Sequence, residues 1–234
     1  MNNILEVRDI HTYIGQFYIL QGVSVAVPAQ SITVLLGRNG AGKTTTLKSI
    51  MGLTAPRRGE ILFEGQNLVG KRPYDIARLG IGFVPEHRAI FKALTVRENL
   101  EIAERSSGDL KKRIDFIFDL FPDLKRLYTL PGGQLSGGQQ QMLAIARALV
   151  PENRLLLIDE PSEGLAPVII ESLMHAIRTL AKQTTVLLVE QNFIVARHLA
   201  DRYTIIEEGR SVHAGEMASL TQDPALIHRY LGAA

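Results

Sequence analysis

Residues Gly37 to Thr44, read as GRNGAGKT, satisfy the pattern G-x-x-x-x-G-K-[ST] at every fixed position. That spacing builds a cradle for phosphate groups. Gly37, Gly40 and Gly42 let the backbone approach a ligand without Cβ clashes. Lys43 has the reach for the terminal phosphates of a nucleoside triphosphate, and the Thr44 hydroxyl suits Mg²⁺. Backbone N–H groups along the stretch, those of Arg38, Asn39, Ala41 and Thr45 included, are expected to converge on one point. An ordinary glycine-rich turn with a stray lysine would lack the right flanks, which are present here. Ser31–Leu36 (SITVLL) reads as a buried strand leading in, and Lys43–Met51 as a helix leading out whose positive dipole end favours an anion.

A second acidic motif runs from Arg154 to Pro161, RLLLIDEP. Its apolar residues predict a strand buried on both faces, with two carboxylates at the C-terminal end, where open α/β sheets carry their ligand crevice. Asp159 is suited to hold Mg²⁺, and Glu160 to orient or deprotonate an attacking water. Alone, the pair could be a solvated acidic turn; a phosphate loop in the same chain favours the chemical reading. A third motif, LSGGQQQ (Leu135–Gln141), opens a helix. Ser136, Gly137, Gly138 and Gln139 at its capped start form a second anion site. Two such sites on one triphosphate are simplest if two copies face head to tail, each offering its Ser-Gly-Gly turn to the other's nucleotide.

The elements that must position these groups follow from hydrophobic patterning. Leu5–Ile10, Val23–Val27, Gly59–Phe63 and Ile81–Pro85 read as strands. From about residue 87 to 134 the pattern turns helical. Thr95-x-x-Glu98 is a capping box opening a helix to about Ala103, and Asp109–Phe121 has apolar residues at helical spacing and stops before Pro122. Helices at Gln139–Val150 and Val168–Lys182 alternate with strands at Leu155–Ile158 and Thr185–Val189. Tyr203–His213 reads as a hairpin turning at Glu208-Gly209. The expectation is one α/β domain over residues 1–234 with a helical lobe at about 87–134.

Composition narrows the class. The 234 residues are 46% apolar and 21% charged, with a formal net charge of +2, too small to argue for nucleic acid or an anionic membrane surface. The absence of cysteine excludes thiol chemistry. The start MNNILEVRDI lacks a signal-peptide pattern, and no apolar run approaches the ~18 residues of a bilayer span. A membrane role would have to come through partners.

With GRNGAGKT, LSGGQ and LLLIDEP in this order, the chain resembles the ATP-binding cassette ATPases over nearly its whole length. VPEHRAIF (Val84–Phe91), DEPSEGLAP (Asp159–Pro167) and LLVEQN (Leu187–Asn192) are similar to an ATPase subunit of bacterial branched-chain amino-acid importers, with urea and short-amide importers the nearest rival. The resemblance implies a RecA-like P-loop NTPase core, an antiparallel β portion and a helical lobe. It also implies ATP and Mg²⁺, a second ATPase subunit of the same or a different kind, two polytopic permease subunits, and an extracytoplasmic solute-binding protein acting indirectly. The location would be the cytoplasmic face of the inner membrane, held through the permeases.

Three positions depart from the broad cassette pattern. Glu86 stands where most cassettes have Gln, still offering an oxygen to Mg²⁺ or the attacking water. Gln191 replaces the switch His; its amide can donate to a γ-phosphate but exchanges no proton near neutral pH. Ala166 stands where many carry Asp, removing a cross-dimer contact. The adenine platform is open between two readings, since the family position holds Ile14 and Tyr13 is one residue earlier: Tyr13 either stacks on the base or is an ordinary strand residue. His87, Arg88 and Phe91 form either a docking edge for a membrane subunit or the entry to the helical lobe. Arg147 and Gln139–Gln141 read as polar residues of a helix face. Two other classes fit a phosphate loop. A nucleotide-gated scaffold would be expected to carry two cassettes or a long insertion, and a P-loop kinase would have no use for LSGGQ.

Overall fold

The computed structural model describes residues 2–232. In chain order the strands are β1 (Asn3–Ile14), β2 (Phe17–Pro28), β3 (Ile32–Leu36), β4 (Arg58–Phe63), β5 (Gln66–Asn67), β6 (Ile81–Val84), β7 (Leu155–Asp159), β8 (Thr185–Val189), β9 (Arg202–Glu207) and β10 (Arg210–Glu216). The helices are α1 (Lys43–Ile50), α2 (Pro73–Arg78), α3 (Val96–Glu101), α4 (Asp109–Leu120), α5 (Pro122–Arg126), α6 (Gly137–Leu149), α7 (Pro167–Leu180), α8 (Phe193–Leu199), α9 (Met217–Leu220) and α10 (Pro224–Leu231).

Two sheets organise the chain. The larger has six strands in the order β10-β9-β3-β8-β7-β6, parallel from β9 to β6, with β10 antiparallel at one edge. Every residue of β3, β7 and β8 is buried. Their side chains alternate between two cores, as a period of two requires. Val34, Leu36, Leu156, Ile158, Val186 and Leu188 join helices α6 and α7 on one face. Leu35, Leu155, Leu157, Leu187 and Val189 join α1 and the second sheet on the other. Continuous apolar strands are what two covered faces demand. The smaller sheet is antiparallel, in the order β2-β1-β4-β5.

The β1–β2 hairpin is longer than its sequence pattern indicated. Both strands run 12 residues and meet at Gly15, because irregular register steps carry pairing past the clean alternation. The turn between β9 and β10 has positive φ at Glu208 (47°) and Gly209 (76°), the geometry of a tight hairpin. Gly209 then braces the phosphate loop. Its N–H donates to Ala41 O at 2.9 Å, and its carbonyl accepts from the Gln21 N–H at 2.7 Å.

Capping fixes two helix starts. Thr95 Oγ1 accepts from the Glu98 N–H at 3.2 Å, and the Glu98 carboxylate accepts from the Thr95 N–H at 2.7 Å. α3 ends at Glu101, short of Ala103. Ser136 caps α6 in the same way, so that helix begins two residues before Gln139. Pro122 ends α4 and also starts α5, where a missing N–H costs nothing. Helices α2, α5, α8, α9 and α10 were not expected from the sequence. No helix among the described residues is long and apolar enough to cross a membrane.

Candidate functional site

The carboxyl ends of four neighbouring parallel strands, β3, β8, β7 and β6, bring the sequence motifs to one edge of the large sheet. β3 runs into Gly37–Thr44, β6 into Pro85-Glu86, β7 ends in Asp159 before Glu160, and β8 leads to Glu190-Gln191. Between them lies a cleft of about 360 Å³ lined by Asn39, Gly40, Gly42, Lys43, Thr44, Thr45, Glu86, Glu160 and Glu163, with Ile14 and Ile19 as its apolar wall.

The loop needs its glycines for stated reasons. Gly37 has φ 146°, and a Cβ there would lie 2.1 Å from Ile206 O, so only glycine passes. Gly42, at φ 111°, opens α1 without a side-chain cap. The first-turn N–H groups of Lys43, Thr44 and Thr45 therefore have no intrahelical partner, which suits an anion. Lys43 is 4% exposed. Its Nζ donates to Gly37 O (2.9 Å) and Arg38 O (3.2 Å) and lies 3.3 Å from Glu160 Oε1. Glu160 has φ 45°, a left-handed conformation unusual for a non-glycine residue, and its N–H is held by Val189 O at 3.0 Å. Backbone strain of this kind is typical of functional positions.

Asp159 sits behind Thr44, whose hydroxyl donates to Oδ1 at 3.0 Å. Its Oδ2 is buried with no hydrogen-bond partner. Burial pushes the carboxyl up to about 6; the Thr44 hydrogen bond opposes this, while Glu160 and Glu86 push the same way and Lys48 opposes. A buried, orphaned carboxylate oxygen beside a hydroxyl, with two further acidic groups in its field, is a donor set that fits a hard divalent cation. Among the described residues no cluster of three or more acidic, His or Cys side chains could hold a metal by itself. Mg²⁺ needs none, because it takes one or two protein oxygens beside substrate phosphates and water.

Other expected residues fall elsewhere. Arg38 is exposed, and a guanidinium nitrogen lies 3.5 Å from Arg229 O. Ala41 packs behind the loop, buried in the core. Tyr13 does not line the cleft. Its ring stacks on Tyr18 (centroids 4.5 Å apart, planes at 4°) and carries the Arg57 guanidinium 4.3 Å from its centre. These two partners flank the ring, whereas Ile14 and Ile19 line the cleft. Gln191 is exposed where β8 ends.

Ser136, Gly137, Gly138 and Gln139 do not reach this cleft. The Gln139 side chain is spent on the cap, with Oε1 accepting from the Ser136 N–H at 3.0 Å. Gln141 and Arg147 lie on α6 and turn toward the loop after Glu86. Gln141 is 2% exposed and accepts from Arg88 Nε at 3.2 Å. Arg147 donates to Ala89 O and lies over the Phe91 ring, 4.9 Å from its centre. Arg88 and Ala89 both have positive φ, 60° and 49°. These two arginines thus clamp the loop after Glu86 onto α6. Sequence reasoning passed over Glu163 and Glu190; a carboxylate directly after the four apolar residues Val186–Val189 of β8 was the available signal for the second.

A parallel sheet with a phosphate loop on one strand and an Asp-Glu pair on another defines a P-loop nucleoside triphosphatase. The chain belongs to the ABC transporter ATP-binding family, whose model matches residues 20–163. It is 43% identical to the high-affinity branched-chain amino acid transport ATP-binding protein BraG of Pseudomonas aeruginosa, over 98% of this chain and 100% of that one. It is 36% identical to the probable branched-chain amino acid transport ATP-binding protein LivF of Archaeoglobus fulgidus, over 88% and 89%. An ATP-binding cassette of an ABC transporter, crystallised in its ADP conformation, superposes with a TM-score of 0.87 at 27% identity over the whole of both chains.

Proposed function

We propose that this chain is the ATP-hydrolysing subunit of an importer for the branched-chain amino acids leucine, isoleucine and valine. The observation that carries the hydrolytic reading is the convergence of Lys43, Thr44, Asp159 and Glu160 on one cleft edge. The 43% identity to BraG over 98% of the chain supports the solute class.

Lys43 and the first-turn amides of α1 would hold the terminal phosphates of ATP. Asn39, Gly40 and Gly42 approach the phosphate chain by backbone, and Ile14 and Ile19 cover the base. Thr44, Asp159 and Glu86 are the groups suited to hold Mg²⁺, which supplies charge neutralisation across the phosphates when bound. Glu160 orients a water in line with the γ-phosphate and takes up its proton. Gln191 donates to the γ-phosphate as the nucleotide sensor. Ser136, Gly137 and Gly138 serve the nucleotide of a second ATPase subunit; that none of them is among the residues lining this chain's own cleft supports that reading. Closure of the pair over ATP would then work on two permease subunits at the cytoplasmic face of the membrane, with a solute-binding protein outside.

The test is uptake. Cells lacking this chain should lose high-affinity uptake of labelled leucine, isoleucine and valine, and Lys43→Ala should not restore it. Unchanged uptake of these three, with loss of urea or short-amide uptake, would move the protein to the rival importer class.

A further inference from the structure

Glu190 is 2% exposed, and no cation pairs with it among the described residues. Its Oε1 accepts two backbone hydrogen bonds, from the N–H groups of Gln191 and Asn192, each 3.0 Å. Its Oε2 is buried with no partner. Burying a carboxylate in this way is costly. Desolvation raises its proton affinity and the Glu160 charge adds to that, while the Asn192 and Gln191 N–H groups and the nearby Ser162 hydroxyl act against it. Nothing in the packing requires an acid here, since the four residues before it, Val186–Val189, are apolar and buried.

Its neighbours explain the position. The Glu190 N–H donates to Leu35 O at 3.3 Å, on the strand that feeds the phosphate loop. Val189 O, one residue earlier, accepts from the Glu160 N–H at 3.0 Å. The Val189–Glu190 peptide thus touches the strand before Gly37 and the backbone of Glu160. The Glu190 side chain then turns back and holds the first two amides of the next loop. Asn192 in turn caps α8, accepting from the Ile194 N–H at 3.0 Å. Among the described residues, no other hydrogen bond to the Gln191 and Asn192 amides competes with this carboxylate.

We infer that Glu190 is a positioning residue for hydrolysis, whose carboxylate anchors the Gln191 loop and keeps it in register with Glu160 across β8. This rests on the proposed roles of Glu160 and Gln191. It predicts a specific pattern of acceptor dependence. The anchor requires an oxygen at the Oε1 position and does not require the negative charge. A misplacement of catalytic groups by about 1 Å can cost on the order of 100-fold in rate, so a loosened loop is expected to lower kcat and spare KM.

Two substitutions of similar volume separate the possibilities. Glu190→Gln keeps the acceptor and loses the charge; Glu190→Leu keeps the bulk and loses the acceptor. ATP turnover, KM for ATP and amide hydrogen exchange at Gln191 and Asn192 are measured for both and for the parent. The expected result is a kcat lowered about 10- to 100-fold in Glu190→Leu, a KM within about threefold, and faster exchange at both amides. Glu190→Gln should stay within about threefold of the parent in all three. Parental turnover in a folded Glu190→Leu protein overturns the inference. So does equal loss in both variants with protected amides, which would assign Glu190 a role through its charge. Should Glu190→Leu fail to fold, faster exchange or a 10-fold lower kcat in Glu190→Gln would still contradict the acceptor model. A parent that hydrolyses no ATP refutes the functional reading instead, and the exchange data still decide the anchoring.

Discussion

Lys43 Nζ and Glu160 Oε1 stand 3.3 Å apart, with side-chain exposures of 3% and 13%. The cation that would take the terminal phosphates is thus paired with the carboxylate that would orient the attacking water. A phosphate reaching Lys43 must compete with Glu160 for it. Glu160→Gln removes that competitor and leaves the glycine cradle intact. ATP binding should be retained or tightened, while turnover falls by about 10²–10⁴-fold if the general base carries its usual share. Equilibrium binding and steady-state hydrolysis on the same preparation check both halves. Lys43→Ala should do the reverse at the binding step, weakening ATP affinity directly. A fully active Glu160→Gln protein would falsify the assignment of the base.

Asp159 supplies a stability prediction that needs no nucleotide. Its carboxyl is raised from 3.8 to about 6, chiefly by burial. The folded state therefore holds this proton more tightly than the unfolded chain. The resulting stabilisation is fully present below about pH 4 and is lost as pH rises through about 6. Above that range the parent carries a buried charge with one unpaired oxygen. Asp159→Asn keeps an oxygen for the Thr44 hydroxyl and removes the charge. It should stabilise the nucleotide-free protein at about pH 8 by on the order of 1–3 kcal/mol, with no gain near pH 4. Denaturant unfolding at the two pH values measures this, and hydrolysis should be lost in the same variant. A variant less stable than the parent at the higher pH would contradict the burial argument.

The cleft wall is testable through its apolar residues. Ile14 and Ile19 line it, whereas Tyr13 is engaged by Tyr18 and Arg57. Ile19→Ala and Ile14→Ala should weaken ATP binding by on the order of 10-fold, the usual effect of lost apolar contact in a pocket. Tyr13→Leu should leave ATP affinity nearly unchanged. If Tyr13→Leu loses more affinity than Ile14→Ala, the ring reaches the base after all.

What the sequence disclosed and what it hid divide along a physical line. The phosphate loop, the capping boxes at Thr95 and Ser136, and the hairpin at Glu208-Gly209 depend on neighbours within a few residues, so their signals lie in the local string. The apolar runs of β3, β7 and β8 were legible because both faces of these strands are covered. The fate of Tyr13 was not, because it depends on Arg57, brought beside it by the pairing of β1 with β4. The burial of Gln141 likewise depends on Arg88, 53 residues away. Helices α8, α9 and α10, of seven, four and eight residues, have too few turns for a periodic pattern to stand out.

The Ser-Gly-Gly turn offers the sharpest test of assembly, and the structure dictates how to make it. Ser136 caps α6: its hydroxyl oxygen accepts from the Gln139 N–H at 3.3 Å. Ser136→Arg would remove that cap as well as blocking a partner, and cap loss alone costs about 1 kcal/mol. Ser136→Asp separates the effects, because Asp caps helices as well as Ser does while placing a negative charge where a second subunit's γ-phosphate would lie. In a Glu160→Gln background, which holds ATP without turning it over, the parent sequence should dimerise when Mg-ATP is added. Ser136→Asp should remain monomeric by size-exclusion chromatography with light scattering. Its thermal midpoint and its monomer affinity for ATP should match those of the Glu160→Gln protein. Weakened ATP affinity in the monomer would mean that this turn serves its own chain's nucleotide. Dimerisation that survives the added charge would mean that the turn lies outside the interface.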